Sequence, residues 1–310
     1  MIMAFDFGLA LLVLAVAGWT IAAQKAFAAV VGFVAYGILL ALVWVRLSAV
    51  DVAMTEAAIG TGVTGVLLLR AAMRTPTSHV VEQSSQTVRA VAAVLCLLVT
   101  AALATVVLYA TDPAPSLAPP VAQALPATGL GNPVTAVLMA FRAVDTFLEK
   151  VVLLLALVGV WSLSPDRAWG GAPTLWEPGP RDEVLVFLAR VLPPVGILIG
   201  LYIFWTGADH PGGAFQGGAI LAAMWMLTMM AGLADEPLVG RALLRAAVIA
   251  GPATFLTVGL AGFVTAGAFL AYPEAYSKVL IIAIEAAMIV TIALTLTLLV
   301  AGPPDRGELR

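Results

Sequence analysis

The chain is dominated by blocks of about 20 residues in which no charged side chain interrupts the apolar run. AVAAVLCLLVTAALATVVLYA, from Ala90 to Ala110, is one of them. An α-helix needs ~20 such residues to cross ~30 Å of hydrocarbon. The whole chain has the same character, since 62% of its 310 residues are hydrophobic and 11% are charged. A soluble domain carries roughly a quarter charged residues, so this chain lacks the polar surface to wrap a water-soluble globule. The fold class it predicts is all-α integral membrane.

About nine spans are predicted: Phe7 to Ala22, Ala26 to Val45, Ala49 to Leu69, Val88 to Ala110, Val134 to Leu163, Val184 to Trp205, Ala214 to Leu233, Ala242 to Leu270 and Ser277 to Ala301. The first has no basic leader and reads as a retained helix rather than a cleaved signal peptide. Basic residues favour cytoplasmic ends. With the N-terminus outside, Lys25, Arg70, Arg74, Arg89, Arg167, Arg181, Arg241, Arg245, Arg306 and Arg310 fall inside, against Arg46 and Lys278 outside. The expectation is therefore N-terminus outside, C-terminus cytoplasmic. Two polar connections, 111–133 and 165–183, separate blocks of about four, one and four spans. No internal repeat is visible, which argues against the inverted-repeat plan of many secondary transporters.

Several function classes drop out. A net charge of −3 gives no basic surface for nucleic acid. Cys96 is alone, which excludes disulfides, cysteine-ligated zinc and iron–sulfur clusters, and His79 and His210 are too few for a bis-histidine haem. No cofactor or metal is expected. Paired catalytic aspartates, an HExxH zinc motif and a serine–lysine arrangement are all lacking, so no intramembrane enzyme is expected either.

What stands out instead is charge at membrane depth, where each ionisable group costs at least ~2.5 kcal/mol on insertion scales. In VDVAMTEAAIGTGVTG, Asp51 reads as a helix cap stacked with Thr55. Glu56 lies ~10 Å in at 1.5 Å per residue and either serves an ion path or bonds a neighbouring helix. In AFRAVDTFLEKVVLL, Arg142, Asp145 and Glu149 form one helical stripe. Arg142 can neutralise only one of these acids, and Lys150 projects to an adjacent face. The alternative is an amphipathic surface helix with its charges in water. Glu285, ~12 Å into the last span, needs either a proton or a partner from another helix. Lys278 shares its face but lies ~10 Å away along the axis, and Arg190 is placed to snorkel to the interface. In TGADHPGGAFQGGA, Pro211, Gly212 and Gly213 force a turn into the next helix, beside Asp209 and the titratable His210. Gly217 and Gly218 suit close helix packing.

These segments resemble a known family. AVDVAMTEAAIGTGVTGVLLL is similar to the C-terminal stretch of MrpA-type subunits and to MbhD of membrane-bound hydrogenases. NPVTAVLMAFRAVDTFLEKVVLLLALVGVWSL is similar to MbhE, and GADHPGGAFQGGAILAAMWML to the MrpB/MbhF signature. Residues 1–110, 134–164 and 184–310 thus read as fused MbhD-, MbhE- and MrpB/MbhF-like units. The turn departs from the common family order His-Asn-Pro-Gly-Gly-Gly-Phe, reading Asp209-His210-Pro211-Gly212-Gly213-Ala214-Phe215. The resemblance implies an accessory membrane subunit of a multisubunit Na+/H+ antiporter, or of a related hydrogenase or respiratory complex, in a prokaryotic inner membrane. Its implied partners are antiporter-like MrpA/MrpD-type subunits and small MrpC-, MrpE-, MrpF- and MrpG-type subunits. Glu56, Asp145, Glu149, Glu285, His210 and Lys150 are the expected ion-path residues, with Asp51, Arg142 and Arg190 as ion-pair candidates. The competing expectation is a structural linker whose acids carry no ions.

Overall fold

A computed structural model describes residues 2–74, 85–109, 116–174 and 183–306. Arg181 and Arg310 of the charge comparison, His79, and parts of both polar connections (Asp112, Pro178 and Pro180 among them) lie outside the described residues. The chain is a multi-pass membrane protein built of helices, with one short two-stranded ladder among the described residues.

The N-terminal block begins with α1 (Ile2–Ala22), packed against α2 (Ala26–Arg46). Gly32 lets them close, because a Cβ there would meet Trp19 and Thr20. The next span is one helix of 25 residues with a widened middle: α3 (Val50–Thr55), a π-helical stretch (Glu56–Val63) and α4 (Thr64–Arg74). Gly60 and Gly62 weaken the regular ladder there, and the Thr64 hydroxyl donates to the Ile59 carbonyl. α5 (Gln86–Tyr109) buries none of its residues in this chain.

The middle segment is where the fold departs from a simple span. α6 (Ala118–Thr128) lies within the connection expected at 111–133 and ends at Gly129, whose φ of 68° is the left-handed cap of a helix terminus. The chain then bends by 86° into α7 (Pro133–Ala136) and a π-helical turn (Val137–Phe141). Asn132 caps α7 by accepting from the Val134 amide at 2.9 Å. The helix breaks at Arg142 and resumes as α8 (Ala143–Trp161), and across the break the Thr146 hydroxyl donates to the Leu138 carbonyl.

The C-terminal block holds α9 (Glu183–Thr206), α10 (Ala214–Met230), α11 (Ala242–Thr265) and α12 (Ser277–Ala301). Hydrocarbon is as apolar as leucine, so helices in lipid associate through close packing of small residues rather than hydrophobic burial. α9 and α10 do this at Gly200 and Gly217, where a Cβ on Gly217 would lie 2.6 Å from the Gly200 carbonyl oxygen. α12 is the central helix: Ile281, Ile284, Met288, Ile292 and Leu296 pack with Ala222 and Met226 of α10, Phe255 of α11 and Ala143 of α8. Pro252 interrupts α11, and there the Thr291 hydroxyl of α12 accepts from the Gly251 amide at 2.8 Å and donates to the Ala247 carbonyl. A side chain from the neighbouring helix thus fills the gap in the ladder.

Each of the nine predicted apolar segments is helical over most of its length, and among the described residues seven helices are long and apolar enough to cross a membrane. The two predicted spans that fall short are α10, which has 17 residues, and the α7–α8 segment. The latter is broken at Arg142 and carries Asp145, Glu149 and Lys150 near the start of α8. At the end of the bundle that carries the C-terminus, β1 (Ala172–Pro173) pairs antiparallel with β2 (Pro304–Arg306). The Arg70 guanidinium donates there to the carbonyls of Val300 and Thr174.

Candidate functional site

The two breaks in regular helix, at 207–213 and around Arg142, converge. Between them lies a cavity of about 340 Å³ lined by Asp51 and Thr55 of α3, Thr135, Thr146, Glu149 and Lys150 of the middle segment, Gly212–Gln216, and Glu285 of α12. All three blocks contribute to it.

Lys150 is its centre. The side chain is 3% exposed. Its ammonium lies 3.4 Å from Glu149 Oε1 and 4.1 Å from the centroid of the Phe215 ring, and it is electrostatically coupled to Glu285. Glu149 itself is half exposed, at the rim. Glu285 is 6% exposed, and its carboxylate meets the backbone amide of Ala214, the first residue of α10. A helix N-terminus favours negative charge, so α10 begins where Glu285 can complete it.

Asp51 corrects its reading as a cap of its own helix: its side chain caps nothing in α3. Asp51 Oδ1 instead accepts from the Gly212 amide at 2.9 Å and from Asn132 Nδ2 at 3.3 Å. Gln216 completes the link, donating to Thr55 Oγ1 at 3.0 Å. The glycines of the turn are required by geometry. Gly212 and Gly213 have φ of 147° and 140°, and a Cβ on Gly212 would sit 2.5 Å from the Ile203 carbonyl oxygen.

Other expected residues lie elsewhere. Asp145 pairs with Arg142 at 2.5 Å, both exposed on the surface side of α8. This is the neutralisation of one acid that the stripe predicts, and it leaves Glu149 to Lys150. The His210 side chain is exposed and does not line the cavity; its backbone holds the turn, the amide donating to the Thr206 carbonyl at 2.8 Å and the carbonyl accepting from Asn132 at 3.0 Å. Arg190 is exposed on α9, and the cation that shares the cavity with Glu285 is Lys150. Lys278 turns to Asp209, at 2.7 and 2.8 Å from its two oxygens, and holds the Asp209 carboxyl below the usual aspartate range. Glu56 occupies a second polar place, against Gly37 of α2 and Gly60 of its own π-helical turn. Beside it, Thr61 Oγ1 is buried with no hydrogen-bond partner among the described residues. A buried hydroxyl without a partner is an energetic liability that a proton carrier, water or cation relieves.

Sequence reasoning did not single out Asn132, Thr146, Phe215 or Gln216 as site residues, and named Thr55 only as the neighbour of Asp51. Gln216 and Asn132 did carry a signal, as lone amides where an apolar helix begins.

Known proteins share both the sequence blocks and the architecture. Residues 11–77 match the MbhD family, the D subunit of MBH, and residues 184–303 match a domain related to the MnhB subunit of Na+/H+ antiporter. An uncharacterised protein of Methanocaldococcus jannaschii is 29% identical over 154 residues, which are 45% of this chain and 59% of that protein. The chain therefore spans less than two thirds of that relative. Among solved structures, a chain of the Mrp complex from Dietzia sp. DQ12-45-1b shares the fold, with a TM-score of 0.75 at 23% identity; the match covers 98% of this chain and 35% of that one. A chain of the membrane-bound sulfane sulfur reductase, an archaeal respiratory membrane complex, matches with a TM-score of 0.57 at 25% identity, over 69% of this chain and 97% of that one.

Proposed function

We propose, for a chain that joins an MbhD domain to an MnhB-related domain as a fused subunit of the Mrp/Mbh type, that it works within a larger membrane complex as an accessory subunit of monovalent cation/proton exchange. Its partners on this reading are antiporter-like and small membrane subunits of that complex, and its place is a prokaryotic cell membrane. The ions it handles are Na+ and H+. The observation that carries the reading is the charge balance of the shared cavity. Asp51, Glu149 and Glu285 line it together with a single ammonium, that of Lys150. Fully ionised, this set is net negative at membrane depth, where uncompensated charge is strongly disfavoured. A proton or a partly dehydrated cation that comes and goes supplies the missing positive charge. Glu56 is a second negative station, and its unpartnered neighbour Thr61 offers a further oxygen to the same visitor.

On the topology read from the basic residues, the cavity lies toward the outer half of the membrane. The rival reading is a linker whose acids only fasten helices; the bonds of Asp51 to Gly212 and Asn132 favour it for that residue. The two readings separate on Glu→Gln substitutions, which keep volume and hydrogen bonding but remove charge. In the assembled complex, Glu56→Gln, Glu149→Gln and Glu285→Gln should each cut cation-driven proton exchange by tenfold or more, on the order of the ~1.4 kcal/mol that defines a decade, with subunit content unchanged. Wild-type exchange in all three would leave the linker.

A further inference from the structure

One turn of α10 reaches all three blocks around the cavity. Its first residue, Ala214, offers its amide to Glu285; its third, Gln216, bonds Thr55 of α3. Between them Phe215 presents its ring to Lys150, with the ammonium 4.1 Å from the centroid. An aromatic face attracts a cation at this distance, and more strongly where water is excluded. The ammonium also stands 3.4 Å from Glu149 Oε1, longer than the roughly 2.7–2.9 Å of a tight charge-assisted hydrogen bond. Lys150 is thus in a long, loose ion pair with Glu149 while it is almost completely buried.

We infer that Phe215 is a positioning residue: its ring face holds the buried Lys150 ammonium in the cavity wall and keeps its pairing with Glu149 loose, so that the charge stays available to the cavity instead of closing onto the rim carboxylate. The reason is physical. A long, flexible side chain with three donors would otherwise settle on the nearer carboxylate, and at low dielectric that ion pair would be a trap. The ring supplies an attraction without a proton acceptor, so it holds the charge in place and competes with neither acid for a proton. Its backbone, in the first turn of α10, is itself fixed by the Gly212–Gly213 turn and by Gln216. The inference rests on the reading of the cavity as an ion path.

The test uses the assembled complex in inverted vesicles, with cation-driven proton exchange and subunit content measured for Phe215→Leu, Phe215→Tyr, Lys150→Met and Phe215→Leu/Lys150→Met. Leucine keeps apolar bulk without the ring, and tyrosine keeps the ring. Phe215→Leu should lose on the order of tenfold in exchange, the scale of a desolvated cation–π contact. Phe215→Tyr should stay within about twofold of wild type, and the leucine change should add nothing to Lys150→Met, since the two act through one contact. Exchange at the wild-type level in Phe215→Leu while Lys150→Met is impaired overturns the role of Phe215 alone. Equal losses in Phe215→Leu and Phe215→Tyr, or a loss tracking reduced subunit content, also overturn it, because the ring is then only filler. Wild-type exchange in Lys150→Met instead overturns the ion-path reading itself.

Discussion

Replacing Lys150 with methionine keeps most of the side-chain volume and removes the cation. Lys150 is 3% exposed and Glu285 6%, so the change leaves a buried carboxylate without its counter-charge. Removing one member of a buried pair in direct contact costs roughly 3–5 kcal/mol, and Lys150 and Glu285 act on one another through space without such a contact. Glu285 also still meets the Ala214 amide, so the expected cost falls below that range, about 2–3 kcal/mol. Glu285→Gln is milder, because Lys150 retains Glu149 at 3.4 Å and the Phe215 ring. About 1–2 kcal/mol is expected for it, the scale of one lost hydrogen bond to a charged group. The double variant leaves neither charge stranded, so its cost should fall short of the sum by about 2 kcal/mol. The assay is the half-life of the detergent-solubilised complex at one fixed elevated temperature, since proteins of this kind unfold irreversibly. A coupling of about 2 kcal/mol corresponds to roughly 30-fold in that half-life. Strict additivity of the two single changes would refute the claim that Lys150 and Glu285 answer one another.

Three further outcomes are expected. Asp51→Ala removes the acceptor of the Gly212 amide and of Asn132 and should destabilise the complex by about 2–3 kcal/mol, whereas Asp51→Asn, which keeps an acceptor oxygen, should lose less than half of that; thermal inactivation of the two compared side by side checks it. Gly217→Ala places a methyl 2.6 Å from the Gly200 carbonyl oxygen, so α9 and α10 must separate, and incorporation of the subunit into the complex should fall severalfold by quantitative immunoblot. The Asp209–Lys278 pair holds the Asp209 carboxyl below its ordinary value of 3.8. Its small stabilisation is complete above that value and fades as pH falls through the lowered one. Asp209→Asn should therefore lower stability slightly and evenly across the neutral range and weaken its fall below about pH 4, as read from inactivation rates across pH.

Membrane residence and most helix positions were legible in the sequence because apolar run length is itself the physical requirement for crossing a bilayer. The bends were only partly so. Pro211–Gly213 marked its turn plainly, since Gly212 adopts a backbone that other residues avoid. The 86° corner after Thr128 and the break at Arg142 were not visible, because they are held by contacts that composition does not announce: Asn132 reaching the distant Gly207 and His210, and Thr146 reaching back across the break to Leu138. The charged residues of the cavity were legible singly and not in company. Spacing along one helix placed Arg142 with Asp145, an i,i+3 neighbour, and suggested Lys278 for the face of Glu285. Only the fold shows that Lys278 turns to Asp209 while Lys150, from a different block of the chain, takes its place. Phe215 gave no signal, because an aromatic at a helix start is ordinary until its neighbours are known.

The central claim is that water and ions reach the acids of this cavity. Thr55 lines it and is half buried, so Thr55→Cys, introduced with Cys96→Ser to remove the native thiol, gives a reporter at its wall. The measurement is labelling of that thiol in the assembled complex by a charged, water-soluble thiol reagent, which reacts with thiolate and is excluded from lipid. The account predicts rapid labelling and a matching fall in exchange; a thiol that stays unreactive while the complex exchanges cations normally would contradict it.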